Sequence, residues 1–318
     1  MRRTLSVFTV LLLAGLSACG GGGGGGESSA LPYTGLATPA VITTSNADDI
    51  ARQAFQGGDL GANATLAPAH SDMASPMAAR PTALTLVQIL TKASTAVLLP
   101  SPAGKGPSPR AVVTVSDVID DGWGGGGQAS FTLSVDNVTG VFTGTFVFAN
   151  FHGDGGGVIN GTVSVSGVVY SDYIEIGFNF RSVSVVDGTN DVTATGAVYL
   201  TSGTGGGQAT LNLCFTDNGT GKGIWLSNYT VAVTDLGGTT DVRTFGRIYL
   251  HDYGYVDVST EAPFLYPALS TQPTSGIITL TGNNNCRARL TVVDAATYTV
   301  ELDADGNGSY EWTVTHSW

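Results

Sequence analysis

The sequence predicts a mainly β protein: a long antiparallel meander forming a curled sheet, half-barrel or sandwich, preceded by two short N-terminal helices. Three observations carry that expectation. Nine of the twelve prolines fall between Pro32 and Pro109, and none occurs in residues 110–262. Proline cannot donate a ladder hydrogen bond, so a long proline-free stretch rich in Val, Thr, Phe and Tyr reads as continuous sheet. The 45 glycines supply the turns such a meander needs. Apolar and polar residues also alternate over long runs, the period of a half-buried strand.

Taken in order, residues 1–18 read as a signal peptide. Arg2 and Arg3 form a basic head, and residues 5–16 form an apolar body too short to span a bilayer. The run ends in Leu16-Ser17-Ala18-Cys19, which resembles the lipobox of bacterial lipoproteins. In that family a transferase attaches diacylglycerol to the cysteine thiol and a dedicated peptidase cuts just before it. The resemblance therefore implies that Cys19 becomes the acylated first residue of the mature protein, with membrane lipid as its partner. It also implies the outer membrane, because Gly20 stands where Asp directs retention at the inner membrane. Residues 19–30 continue as a tether, since residues 20–26 are all glycine and Glu27, Ser28 and Ser29 follow.

Residues 31–110 are expected to be a Pro-rich irregular region with two helices. The first spans residues 47–55, capped by Ser45 or Asn46, with Asp48 and Asp49 in the first turn and Gly57-Gly58 ending it. The second spans residues 84–93 after Pro81-Thr82. Its Leu86, Ile89, Leu90 and Ala93 form one stripe that would pack on the sheet.

Residues 111–318 are expected to be the antiparallel β domain. Ile174, Ile176, Phe178 and Phe180 share one parity, and after Arg181 the apolar positions shift to Val183 and Val185, which predicts a β-bulge. Two internal echoes support duplicated hairpins. Residues 188–192 lead to Gly196-Ala197-Val198-Tyr199-Leu200, and residues 238–242 lead to Gly246-Arg247-Ile248-Tyr249-Leu250. Residues 125–129 and 205–209 share the pattern Gly-Gly-Gly-Gln-Ala. Asp191 and Asp241 in the first echo read as turn residues.

Few residues carry a chemical signal. Asp303-Ala304-Asp305-Gly306-Asn307-Gly308-Ser309-Tyr310-Glu311 resembles the start of the EF-hand calcium loop. The resemblance offers Asp303, Asp305, Asn307 and Glu311 as candidate calcium ligands. Val314 replaces the bidentate glutamate at the twelfth position, so weak or no calcium binding is expected, and a polar hairpin turn is the leading reading, with calcium the alternative. Cys214 and Cys286 are the thiols left after processing, and an oxidising compartment predicts a disulfide between them. His70, His152, His251 and His316 have no zinc-ligand spacing. The glycine-rich run from His152 faintly resembles an esterase oxyanion loop, but no Gly-x-Ser-x-Gly nucleophile turn accompanies it.

Twenty acidic and six basic residues lie past Arg110, which argues against a nucleic-acid partner. The expected function is a noncatalytic structural or binding role for an outer-membrane-anchored lipoprotein. An apolar-ligand carrier is one alternative, and it predicts an apolar cavity in the curl of the sheet. An envelope enzyme is another. A transmembrane β-barrel is the third, since Tyr310, Trp312, Val314, His316 and Trp318 alternate up to a terminal aromatic, resembling the assembly signal of outer-membrane barrels.

Overall fold

The computed structural model describes residues 32–66, 112–120, 127–136, 138–152, 157–188, 190–268, 270 and 272–318. All belong to one compact unit, Leu31–Trp318. Among the described residues there are one α-helix, α1 (Ala47–Leu66), and fourteen strands. These are β1 (Val112–Asp120), β2 (Gln128–Asp136), β3 (Val141–His152), β4 (Val158–Val169), β5 (Tyr173–Asp187), β6 (Asn190–Gly203) and β7 (Gly206–Asp217). There follow β8 (Gly223–Asp235), β9 (Thr239–Leu250), β10 (Gly254–Pro267), β11 (Ser275–Thr281), β12 (Arg287–Val292), β13 (Thr297–Asp303) and β14 (Trp312–Ser317).

The protein is mainly β, as expected. Every strand pairs antiparallel with its sequence neighbours, so the spatial order is β1 through β14 in a single sheet. Among the described residues the ladder stops at β1 and β14, which do not pair with each other, so the sheet is not closed. Closure is what removes unpaired edges from a membrane-spanning sheet.

One face of the sheet is apolar and the other is polar. On the apolar face lie Leu133, Phe142, Phe146, Val163, Phe178, Val198, Leu211, Val231, Ile248 and Leu290, all buried. Each such side chain contributes on the order of 1.5–3 kcal/mol on leaving water.

The sheet curls because a line of bulges crosses it. The bulge expected after Arg181 is present: Ser182 has φ 53°, and the β5 register shifts against both β4 and β6. Asn150 in β3 and Asn228 in β8 adopt the same left-handed backbone, with φ 51° and 45°. Amide side chains hold two of these bends. Asn150 N–H donates to Asn160 Oδ1 at 2.8 Å, and Asn228 N–H donates to Asn212 Oδ1 at 2.8 Å. Gly196 and Gly246, the echoed glycines, sit on this line with φ 134° and 136°. A Cβ there would collide with the carbonyls of Asn212 and Asn228 respectively, so only glycine fits. The echoed Asp191 and Asp241 lie inside β6 and β9, opposite Val186 and Thr234, rather than in the turns. The turns themselves fall at Gly188 and at Gly237-Gly238.

Helix α1 lies on the apolar face and contacts β6–β9 on one side and β11–β13 on the other. Its buried residues Ala47, Ile50, Ala51, Ala54, Phe55 and Ala62 repeat at helical spacing. Phe55 meets Phe264 and Trp318 at ring-centroid distances of 5.1 and 4.9 Å. Tyr229 OH donates to Ala54 O at 2.6 Å.

The helix does not stop at Phe55 but runs through Gly57 and Gly58. Both glycines are buried contact points. A Cβ on Gly57 would meet Leu226 and Tyr229 at 3.2–3.4 Å, and one on Gly58 would meet Thr244 Oγ1 at 2.8 Å. Close approach to the sheet, not termination, explains the pair. At the start of α1, Asn46 does not cap with its side chain. Instead its Oδ1 accepts from Thr43 N–H at 2.8 Å, and its Nδ2 donates to Val41 O at 3.1 Å. The second expected helix, at residues 84–93, falls outside the described residues.

Candidate functional site

Three carboxylates of the Asp303 loop lie close together. Carboxylate oxygens of Asp303, Asp305 and Glu311 converge within 4.8 Å of one another. The loop already uses these oxygens. Buried Asp303 accepts at Oδ1 from the N–H groups of Gly306 (2.8 Å) and Asn307 (3.1 Å), and at Oδ2 from Gly308 N–H (2.9 Å). Asp305 accepts from Asn307 N–H and from its side-chain amide at 3.1 and 2.9 Å, while Glu311 accepts from Ala304 N–H at 3.2 Å. Asn307 Oδ1 accepts from Ser309 N–H at 2.7 Å. Oxygen donors of this kind suit a hard cation, but each also holds the turn closed.

Cys214 and Cys286 are free buried thiols, so the expected disulfide is not formed. The sheet separates them. Cys286 shares the apolar face with Ala288 and Leu290, and its sulfur accepts from Ile42 N–H at 3.4 Å. Cys214 points to the opposite face, in register between Thr195 and Trp225. That face is polar elsewhere, but here aromatic rings cover it. Trp225 stacks on Tyr249 at 4.3 Å, and Tyr33 lies against both at 5.9 and 5.6 Å. Burial pushes the Cys214 thiol pKa up, making it less reactive.

Cys19 and His70 lie outside the described residues. His316 Nε2 sits 3.2 Å from Asp48 Oδ1, linking β14 to the first turn of α1. His251 lies at the rim of a cavity.

That cavity, about 460 Å³, opens between the first half of α1 and the ends of β6–β9. Its floor is apolar: Val192, Phe215, Ile224, Leu226, Ile248 and Leu250 project from the sheet. Its mouth is polar. Asp49, Gln53 and Gln56 come from α1, Asp217, Thr220 and Lys222 from the β7–β8 turn, and His251, Asp252 and Tyr253 from the β9–β10 turn.

The mouth is held together by its own hydrogen bonds. Asp217 Oδ1 accepts from Thr220 and Gly219 N–H at 3.0 and 2.8 Å, and those bonds hold its pKa below the usual carboxylate value. Lys222 Nζ is paired with Asp252, which raises its pKa, and both side chains stand half-exposed. Asp49 accepts from Gln53 Nε2 at 2.9 Å and lies 3.4 Å from Arg52. Burial chiefly, and then a hydrogen bond to Asp49, push Tyr253 up. His251 Nδ1 lies 3.4 Å from Gly223 N–H, acting as acceptor.

Size, apolar floor and a few convergent polar groups are the features of a small-molecule site. Among the described lining residues the hydroxyls are Thr220 and Tyr253, with no serine or cysteine nucleophile. The sequence flagged none of these residues as a site. The signal available was parity alone, which puts Ile224, Leu226, Ile248 and Leu250 on one face without showing that the helix leaves a gap above them.

No known protein family, curated protein or solved structure matches this chain.

Proposed function

We propose that this chain is an outer-membrane lipoprotein, anchored by acylated Cys19 through its glycine tether, whose β body binds a small ligand with an apolar portion. The observation that carries the binding reading is the 460 Å³ cavity with its floor of Val192, Phe215, Ile224, Leu226, Ile248 and Leu250. Burying a ligand there removes apolar surface from water at about 25 cal/mol per Å². The absence of a serine or cysteine nucleophile from the described lining favours binding over covalent catalysis. The anchor rests on the lipobox resemblance, and each acyl methylene inserted in the membrane adds about 0.8 kcal/mol. The acidic balance of the sheet supports a partner other than nucleic acid. In this reading the Asp303 loop is a structural turn. Calorimetry finding submicromolar calcium affinity that disappears in Asp305→Ala would overturn that assignment.

Two measurements test the proposal. Mass spectrometry of the mature N-terminus is expected to find a diacylated, cleaved Cys19; an unmodified cysteine, or cleavage elsewhere, removes the anchor. For the cavity, the neutral probe N-phenyl-1-naphthylamine is expected to bind the mature protein with enhanced fluorescence. Leu226→Trp fills the floor and should abolish that signal while leaving the circular dichroism spectrum unchanged. Probe binding that survives Leu226→Trp would place the ligand elsewhere.

A further inference from the structure

The charge at the mouth of the cavity points to a particular ligand class, and this inference rests on the cavity reading above. Three carboxylates, those of Asp49, Asp217 and Asp252, line the mouth. Lys222 answers one of them, paired with Asp252. Arg52, outside the lining, is shared between Asp49 at 3.4 Å and Asp48 at 3.3 Å. The lining side chains therefore carry an excess of negative charge. The N-terminus of α1 contributes a partial positive charge, which Asp48 and Asp49 in its first turn offset. Lys222 has its ammonium on Asp252, so an anionic headgroup would have to break that pair to gain a cation. Backbone donors to Asp217 hold its pKa below the usual carboxylate value. A positively charged headgroup would instead meet the Asp49 carboxylate from α1 and the Asp217 carboxylate from the β7–β8 turn, both of which line the opening.

We infer that the cavity selects amphiphiles with a cationic headgroup: the apolar chain on the Ile224, Leu226, Ile248 and Leu250 floor, the cation between the carboxylates of α1 and those of the β7–β8 and β9–β10 turns. A neutral amphiphile gains only the floor. An anionic one gains the floor and is repelled at the mouth.

The test is displacement of N-phenyl-1-naphthylamine from the mature protein by three dodecyl compounds at neutral pH: dodecyltrimethylammonium, dodecanol and dodecanoate. At low salt the cation is expected to displace the probe about tenfold more tightly than the anion, with the alcohol between, and the spread should narrow at high salt. The chain as a whole is acidic, so a general attraction for cations has to be separated from one at the mouth. Asp49→Asn combined with Asp252→Asn neutralises the mouth while removing two of the chain's 25 acidic residues. This double variant should bring the three affinities to within about twofold of one another. Persistence of the cation's advantage in that variant overturns the inference. Equal displacement by all three compounds in the wild-type protein also overturns it and leaves the cavity reading standing. Failure of the probe and all three compounds to bind removes both.

Discussion

Replacing Gly58 with alanine sets local preference against packing. In an exposed helix interior the change stabilises by about 1 kcal/mol, because alanine gives up less backbone freedom on folding. Gly58 is buried against β9, and the added Cβ would lie 2.8 Å from Thr244 Oγ1, well inside ordinary contact. Thr244 cannot easily retreat. Its N–H donates to Thr260 Oγ1 at 2.7 Å, and its carbonyl accepts from the same hydroxyl at 3.0 Å. Overpacking of this kind costs about 1–3 kcal/mol, so Gly58→Ala is expected to destabilise by about 1 kcal/mol net. Thr244→Ala removes the offending oxygen and leaves a Cβ at 3.7 Å, an ordinary contact. In that background the sign should reverse, and Gly58→Ala should stabilise by up to about 1 kcal/mol. Urea unfolding of the four proteins, followed by tryptophan fluorescence and circular dichroism, completes the cycle. A higher midpoint for Gly58→Ala with Thr244 intact would refute the packing argument and return the glycine to the role of a weak helix stop.

Three further outcomes are expected. Asp303→Ala breaks three backbone bonds to a buried carboxylate and should cost about 3 kcal/mol in urea unfolding, whereas Asp305→Ala at the exposed tip should cost under about 0.5 kcal/mol; equal effects would show that Asp303 does not organise the turn. Burial, with Cys214, Tyr249 and Asp252 adding to it, pushes the Tyr33 phenol up to about 12. Its unfolded value is near 10, so its share of stability is present below about pH 10 and lost as pH rises through 12. Tyr33→Phe should therefore flatten the alkaline limb of the stability profile, and an unchanged limb would contradict the burial of that ring. Thiol labelling of the unfolded, unreduced chain should find both Cys214 and Cys286 reactive; two unreactive cysteines would restore the disulfide.

How much of this was legible in the residues varies with the range of the interaction. The strands follow from alternation and from the missing prolines, because both are properties of a few consecutive residues. The bulge at Ser182 was visible for the same reason: Phe180 and Val183 cannot both face the core without an extra residue between them. The echo of Gly196 and Gly246 was visible as a repeat, but its meaning was not, since the carbonyls that exclude a side chain belong to neighbouring strands.

The residues alone carried the strand periodicity, the bulge at Ser182 and the oxygen-rich loop at Asp303. Long-range packing set the rest: among the described residues β1 and β14 stay unpaired with each other, α1 runs past Gly57-Gly58, Cys214 and Cys286 face opposite sides, Asp191 and Asp241 sit inside strands, and a cavity lies between Leu226 and Gln53. Local backbone and side-chain preferences act over one turn or one pleat. The curl that brings β8 under α1 accumulates strand by strand, and Tyr229 meets Ala54 across 175 residues of chain. Contacts of that span are set by how successive bends add up, which no single stretch of the sequence encodes.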